Sequence, residues 1–588
     1  MDQISQEHRL ISISSPLDKD ELLLTSFQGS DHLSRLFEYQ IEVLSVNVEL
    51  EPEKLVGEQV TVTLQEGAER YFTGYVNRFS FGEIKTNNLR QYKFNIVPWL
   101  WFLTKTHNQR IFQEMNTKDI VSQVFTDLGF TDFEFQAKGG EVRDYCVQYD
   151  ESDFNFISRL LEEEGITYYF KQDKNKHQLI MVDKQNAYEY CDEKEVTYSK
   201  GNQSEAQITQ WEHNYEFRTG EWEINDYNFT EPSKSLLVST KTKSKFSKVK
   251  KFKHYEYPSM YDLASGSELV KLRMDAEEAN IDTIDASSDC SSFYAGGKFK
   301  LTKHAAASEK GDYIITGIYH RAFDNSYFSG SEGQSEYGNN LICIPAEVHY
   351  RPLMKHTKPI MKGPQSAIVT GPSGEEIHID EFGRIKVQFI WDSEGKNNES
   401  SSCYLRVTQA WAGDQWGSSF IPRIGQEVIV NFLDGNPDRP LVTGSVYNGK
   451  NKPPYSSKTQ SGIKTQSTKG AGKSNYNELR FEDLKGSEEI FIQAEKDFNT
   501  LVKDNHSRTV QKGDDNISIS KGNRSLSVKK KISTDATDII ITAKNSIELK
   551  VGGSSIKMSS SGIVVKATKV DIKGSAMVVI KGGMTKIN

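Results

Sequence analysis

The sequence predicts a mainly β protein of several domains, whose last segment is a rod built jointly by more than one copy of the chain. Three observations carry this. The chain has 588 residues, and roughly 100–200 residues per domain makes about three to five domains. Ten of its 15 prolines lie between Pro345 and Pro454, and none follows Pro454. The C-terminal stretch repeats one motif, two aliphatic residues separated by a single position, with glycine-bearing turns between the repeats.

In the N-terminal half the best-defined element is a helix over 152–164. Ser152 suits the N-cap, Asp153 sits where the helix dipole favours an anion, and Gly165 follows as a stop. Phe154, Ile157 and Leu161 share one face. This helix and the cluster around Trp99 and Trp101 are read as core rather than as a cofactor site. Residues 166–170 follow as a strand.

Between 364 and 448, short β-rich runs at 387–390, 404–407 and 428–432 alternate with turns at Gly383, Gly413, Gly425 and Asp434-Gly435. Five or so short strands in this span predict a small barrel of the oligonucleotide/oligosaccharide-binding (OB) type. Residues 449–474 are read as a linker.

The segment 475–588 carries the repeat. Its aliphatic pairs include Ile517/Ile519, Leu526/Val528, Ile539/Ile541, Ile547/Leu549, Ile556/Met558, Ile563/Val565, Val570/Ile572 and Met577/Val579. Each pair makes one face of a short strand apolar and leaves the other to Lys, Ser, Thr or Asp. From Leu501 onward there is no Phe, Tyr or Trp, so one chain has too little bulk to bury these stripes against itself. Several chains with their stripes on a common axis, pairing strands between chains, would bury them. Ile547, Leu549, Ile556, Met558, Ile563, Val565, Val570 and Ile572 are the expected core of that assembly. The missing prolines fit, because each backbone N–H is needed for pairing.

Charge divides at the same place. Residues 501–588 hold 16 Lys and Arg against 7 Asp and Glu, a surplus of nine. The whole chain is −9, which leaves −18 on residues 1–500. A basic tail without aromatics lacks the stacking surfaces of single-strand nucleic-acid binders, and no nucleic-acid partner is expected.

Many positions in fixed order resemble the VgrG spike family of the bacterial type VI secretion system. They include EIHIDEFGRIKV at 376–387, CYLRVTQAWAG at 403–413, IPRIGQEV at 421–428, FLDGNPDRP at 432–440 and NELRFED at 477–483. Upstream, PWLWFLT at 98–104, YCVQYDESDFNF at 145–156 and SRLLEEEGITYYF at 158–170 extend the likeness over essentially the whole chain. The resemblance implies a hub over 1–350, similar to the phage baseplate hub, with two related β-barrel-like modules and helices in a ring of three. It implies an OB barrel as a collar, and a homotrimeric, intertwined triple-stranded β-helix or β-prism needle over 475–588. The implied partners are a hexameric tube protein of the Hcp type, baseplate components, effector proteins with their adaptors, and a PAAR-repeat tip protein docking on Met584, Thr585, Ile587 and Asn588. The hub-spike of a phage tail or of an extracellular contractile particle shares these parts.

Patterns for chemistry are sparse. The five cysteines, Cys146, Cys191, Cys290, Cys343 and Cys403, form no CxxC and read as reduced thiols. No GxSxG elbow occurs. Residues 467–474 approach a phosphate-binding loop, but Ser467 replaces its first glycine and no strand-to-helix context frames it. Glu376, His378 and Asp380 alternate along an expected strand, too few to hold a metal from one edge. Related phage spikes carry a lysozyme between barrel and rod, where this chain has only 449–473, and no effector domain is expected after the rod. A peptidoglycan-degrading enzyme is therefore disfavoured, and neither catalysis nor a cofactor is expected. Apolar runs such as 99–103 are far below the ~18 residues of a membrane-spanning helix. The N-terminus shows no secretory signal, so the expected route is assembly in the cytoplasm and export through the apparatus.

Overall fold

The computed structural model describes residues 5–85, 88–199, 206–261, 264–327, 335–470 and 472–587. The chain divides into two compact units, Met1–Lys496 and Asp497–Asn588.

The first unit is built on a twelve-stranded sheet with two six-stranded halves. The first half runs, in spatial order, Ile11–Ser14, Gln59–Glu66, Ala68–Ile84, Arg90–Val97, Glu38–Ser45 and Leu23–His32. Alternation sets its faces. Tyr39, Ile41 and Val43 point into a core with Phe27, Phe72 and Phe94, while Glu38, Gln40 and Glu42 point away. Leu23–His32 then pairs with Gly311–Asp324, the first strand of the second half.

The second half continues through Lys298–Lys303, Tyr190–Tyr198, Gln207–Tyr215, Asp282–Ser288 and Ser335–Pro345. Ser335–Pro345 pairs back onto Gly311–Asp324 and closes the six into a barrel. Its interior holds Ile208, Phe293, Phe299, Leu301 and Leu341, together with Cys191, Cys290 and Cys343. These cysteines are free thiols used as small apolar filling.

Among the described residues of this unit the α-helices are α1 (Thr117–Asp127), α2 (Asp153–Glu163) and α3 (Gly266–Glu278). α2 starts and stops where the sequence predicts. The Asn155 N–H donates to Ser152 Oγ at 3.1 Å, and Gly165 takes a φ of +63°, which suits a residue without a Cβ. The burial of α2 departs from the one-faced expectation. Besides Ile157 and Leu161, its Asp153, Arg159 and Glu162 are buried as well. The reason is tertiary: Arg110 partners Asp153, Glu151 partners Arg159, and the segment 351–358 supplies the backbone N–H groups of Lys355 and His356 to Glu162.

That barrel is a five-stranded sheet in the order Lys386–Phe389, Gln365–Thr370, Glu427–Phe432, Pro440–Val446, Arg406–Val407. A bridge between Ile385 and Leu405 joins its two edges. Ala367, Val369, Val387, Phe389, Val428, Val430 and Val442 fill it. Residues 376–380, expected as strand, have no strand pairing. Within 449–474, expected as linker, Gln460–Lys464 is a strand. It pairs with Glu478–Glu482, which pairs in turn with Glu489–Gln493.

In the second unit the described strands are Ser546–Val551, Ser554–Ser559 and Gly562–Lys566, an antiparallel meander. Two-residue turns at 552–553 and 560–561 fold it back on itself, the first with Gly552 at a φ of +55°. Within one chain the three strands of 546–566 already pair with one another. Short turns let these strands pair within one chain before any partner is needed.

Candidate assembly surfaces

The meander presents a single aliphatic face. Ile547 is opposite Met558, which is opposite Ile563. Leu549 is opposite Ile556, which is opposite Val565. Directly opposed residues share a face, so these six side chains form one patch. Leu549, Ile556, Ile563 and Val565 remain 42–67% exposed. The other face carries Glu548, Lys550, Lys557 and Lys566 at their register positions. Val570 and Ile572, the remaining expected core residues, are also exposed and lie outside any strand. Of the expected tip-docking residues, Met584, Thr585 and Ile587 are exposed, while Asn588 lies outside the described residues.

A second surface joins the OB-type barrel to the hub through buried charge. The Val147 N–H donates to Asp438 Oδ1 at 2.7 Å, and Lys358 Nζ lies 2.9 Å from Asp438 Oδ2. Lys358 also faces Glu163 at 3.6 Å, and Glu163 pairs with Arg143 at 2.7 Å. Burial works to raise the Glu163 carboxyl, but Lys358, Arg143 and Arg159 outweigh it and hold it well below the usual carboxylate range. Glu162 accepts the backbone N–H groups of Lys355 and His356 at 2.8 and 2.9 Å. Arg159, 1% exposed, pairs with Glu151 at 2.8 Å, and Arg110 binds Gln148 and Asp153. From the hub side, Asp226 pairs with Arg439 at 3.1 Å, and Phe229 lies under Arg406. Sequence reasoning missed this network, because nothing in the spacing of charged residues distinguishes a buried one from a solvated one.

The barrel also carries an exposed aromatic hairpin, Ala412–Gly413 paired with Trp416–Gly417. Trp411 and Trp416 meet edge to face at 4.8 Å and are 65% and 57% exposed.

The expected chemical patterns resolve into structural contacts. Glu376 accepts the Gly470 N–H at 2.8 Å, so the phosphate-loop-like segment meets the protein's own carboxylate. Its backbone is the loop between Gln460–Lys464 and Glu478–Glu482. His378 Nε2 lies 3.0 Å from the Tyr404 hydroxyl. Asp380 binds Arg384. Among the described residues, no group of three His, Cys, Asp or Glu is placed to hold a metal. A cleft of 560 Å³ on the wall of the closed barrel is lined by Tyr198, Gln210, Trp211, Tyr319 and Asn340, with Glu212 and Asp285. These two carboxylates are cross-strand neighbours on one wall. Glycoside cleavage needs them on either side of the substrate.

Three family models match: phage tail baseplate hub (GPD) over residues 30–326, type VI secretion system/phage-baseplate injector OB domain over 375–447, and bacteriophage T4 gp5 C-terminal trimerisation domain over 461–580. Type VI secretion system spike protein VgrG1c of Pseudomonas aeruginosa is 38% identical over 519 residues, covering 86% of this chain and 71% of that protein. The actin cross-linking toxin VgrG1 of Vibrio cholerae is 34% identical over 509 residues, covering 83% of this chain and 46% of that protein. Among solved structures, the E. coli c3393 protein, a type VI secretion component similar to T4 tail proteins gp27 and gp5, superposes with a TM-score of 0.54 at 22% identity. It covers 74% of this chain and 99% of that one.

Proposed function

The chain belongs to the VgrG family of type VI secretion spike proteins, and on that premise we propose that it is the trimeric, non-enzymatic tip of a contractile injection apparatus. The observation that carries the reading is the six-residue aliphatic face of 546–566, which one chain leaves in water. Three copies turned face inward would give it a dry centre, and Val570 and Ile572 would extend that centre. Fully burying an aliphatic side chain contributes roughly 1.5–3 kcal/mol, so six per chain are enough to drive association. A load on such a needle would be shared among the backbone hydrogen bonds of three chains.

In this reading residues 1–350 seat on a hexameric tube protein within the baseplate, and 364–448 form a collar. Met584, Thr585, Ile587 and Asn588 receive a PAAR-repeat tip protein, and effectors with their adaptors travel on the tip or needle. The protein is assembled in the cytoplasm and leaves through the apparatus. No turnover is assigned to it, because the paired carboxylates of the cleft share one wall and the phosphate-loop-like segment is occupied by Glu376.

Light scattering on the purified full-length protein tests this. A mass of three chains is expected, and a monomer at micromolar concentration overturns the reading. A peptidoglycan turbidity assay on the same sample is expected to show no clearing, and measurable clearing would remove the non-enzymatic half of the proposal.

A further inference from the structure

The turn between strands Val238–Lys241 and Lys253–Glu256 concentrates positive charge that the spike reading does not use. Residues 241–253 contain seven lysines and no acidic residue, within a body of net charge −18 up to residue 500. The two strands flank Glu221–Ile224 in a small sheet separate from the twelve-stranded one, and α3 packs against it. The turn is held firmly at its base. Val249 is buried, Thr242 N–H donates to Gly220 O at 3.0 Å, and Gly220 N–H donates to Phe252 O at 3.0 Å.

All seven lysines are exposed. Lys253 pairs with Glu223 at 2.8 Å, and Lys243 lies 3.7 Å from Asp275 and 3.9 Å from Glu278. Lys241, Lys245, Lys248, Lys250 and Lys251 make no ion pair among the described residues. Between them stand two apolar rings, Phe246 and Phe252, 43% and 55% exposed. Phe246 lies edge to face with Tyr215 at 6.1 Å, and Phe252 with Phe217 at 5.2 Å. Leaving four aromatic rings in water beside uncompensated charge is unfavourable unless a partner takes both.

We propose that this basic-aromatic turn docks on the surface of an anionic phospholipid membrane. Lysine ammoniums on flexible stems suit a diffuse layer of phosphate headgroups, and aromatic side chains partition to the interface below it. The run 241–253 contains no arginine, the side chain that a fixed pattern of protein carboxylates would favour. Single-stranded nucleic acid wants open ring faces for stacking. Here each exposed phenylalanine is engaged edge to face with a neighbour, which makes apolar knobs rather than platforms.

The test is flotation of the full-length protein with vesicles of phosphatidylcholine alone and of phosphatidylcholine with about a third phosphatidylglycerol, across ionic strength. The wild-type protein is expected to float only with the anionic vesicles, and less as salt rises. Replacing Lys245, Lys248, Lys250 and Lys251 together by Ser is expected to weaken binding on the order of a thousandfold. Phe246→Ser with Phe252→Ser is expected to weaken it about tenfold while keeping the salt dependence. These side chains are exposed, so an unchanged melting curve verifies that each variant folds. No binding, equal binding to both vesicle types, retention by the lysine variant, or tighter binding to a single-stranded oligonucleotide at the same salt overturns the proposal.

Discussion

The OB-type barrel and the meander of the second unit are made from much the same side chains. Val369, Val387, Val428, Val430 and Val442 are at most 1% exposed in the barrel, while Leu549, Ile556, Ile563 and Val565 are 42–67% exposed in the meander. Both follow a period of two, and both are antiparallel over most of their length. They differ in closure. The barrel's edges meet at the Ile385–Leu405 bridge, so its inner face encloses itself. The meander has three strands, and among the described residues of its own chain its two edge strands pair with no further strand. Alternation therefore decides that a segment is a strand and which residues share a face, and the topology decides what covers that face.

The sharpest way to break this comparison is Ile563→Asp. A carboxylate on the aliphatic face would place three like charges together in an assembled trimer, so assembly is expected to fail completely. The body should keep its melting temperature. A variant that still migrates as an SDS-resistant trimer would show that the face is not the assembly surface.

Asp438→Ala tests the buried counterpart in the body. It leaves the Val147 N–H without its acceptor and the Lys358 ammonium with only Glu163, at 3.6 Å, at a cost of about 3 kcal/mol. Because Asp438 joins barrel to hub, urea unfolding followed by tryptophan fluorescence is expected to begin earlier and to separate into two steps. A single unshifted transition would place the strength of the joint elsewhere.

Asp31→Asn tests an internal charge that no opposed carboxylate–lysine chain supports. Burial, only partly offset by Arg70, pushes the Asp31 carboxyl up to about 7. Between about pH 4 and that value the folded body keeps a proton that the unfolded chain has released, so stability falls as pH rises through this window. The amide removes that fall. The variant is expected to be more stable than the parent at pH 8 and to match it near pH 4, read as melting temperatures at the two values. Equal curves at pH 8 would contradict the shift.

Two smaller effects complete the series. Ser152→Ala removes the cap of α2 and is expected to cost about 1 kcal/mol, seen in chemical denaturation of the body. Asp571→Ala breaks the exposed Lys569–Asp571 pair of the second unit and is expected to cost under about 0.5 kcal/mol, with no change in assembly.

Much of the fold was legible because its signals are local. Ser152 and Gly165 bracket α2 through groups within a few residues of each other. The pairs from Ile547 to Val565 announce their common face through spacing alone. What was not legible depends on residues far apart in the chain. No pattern near Glu163 reveals Lys358, and none near Val147 reveals Asp438. The strand at Gln460–Lys464 was hidden in an expected linker because its partner, Glu478–Glu482, lies beyond a glycine- and lysine-rich loop. Glu376, His378 and Asp380 suggested a shared site by their spacing, but each found its own neighbour once the chain left the extended conformation.

The distribution of rings between the two units has an optical consequence. All 7 tryptophans and all 26 tyrosines precede residue 497, and Phe498 is the last aromatic residue of the chain. Tryptophan and tyrosine fluorescence, and the near-ultraviolet dichroism of those rings, therefore report on the first unit alone, whereas the amide bands of both units overlap in the far ultraviolet. Recording the two signals on one heated sample separates the melting of the aromatic body from that of the aliphatic tail without any label, and a fluorescent reporter introduced after residue 501 has no native tryptophan or tyrosine emission from its own unit to compete with.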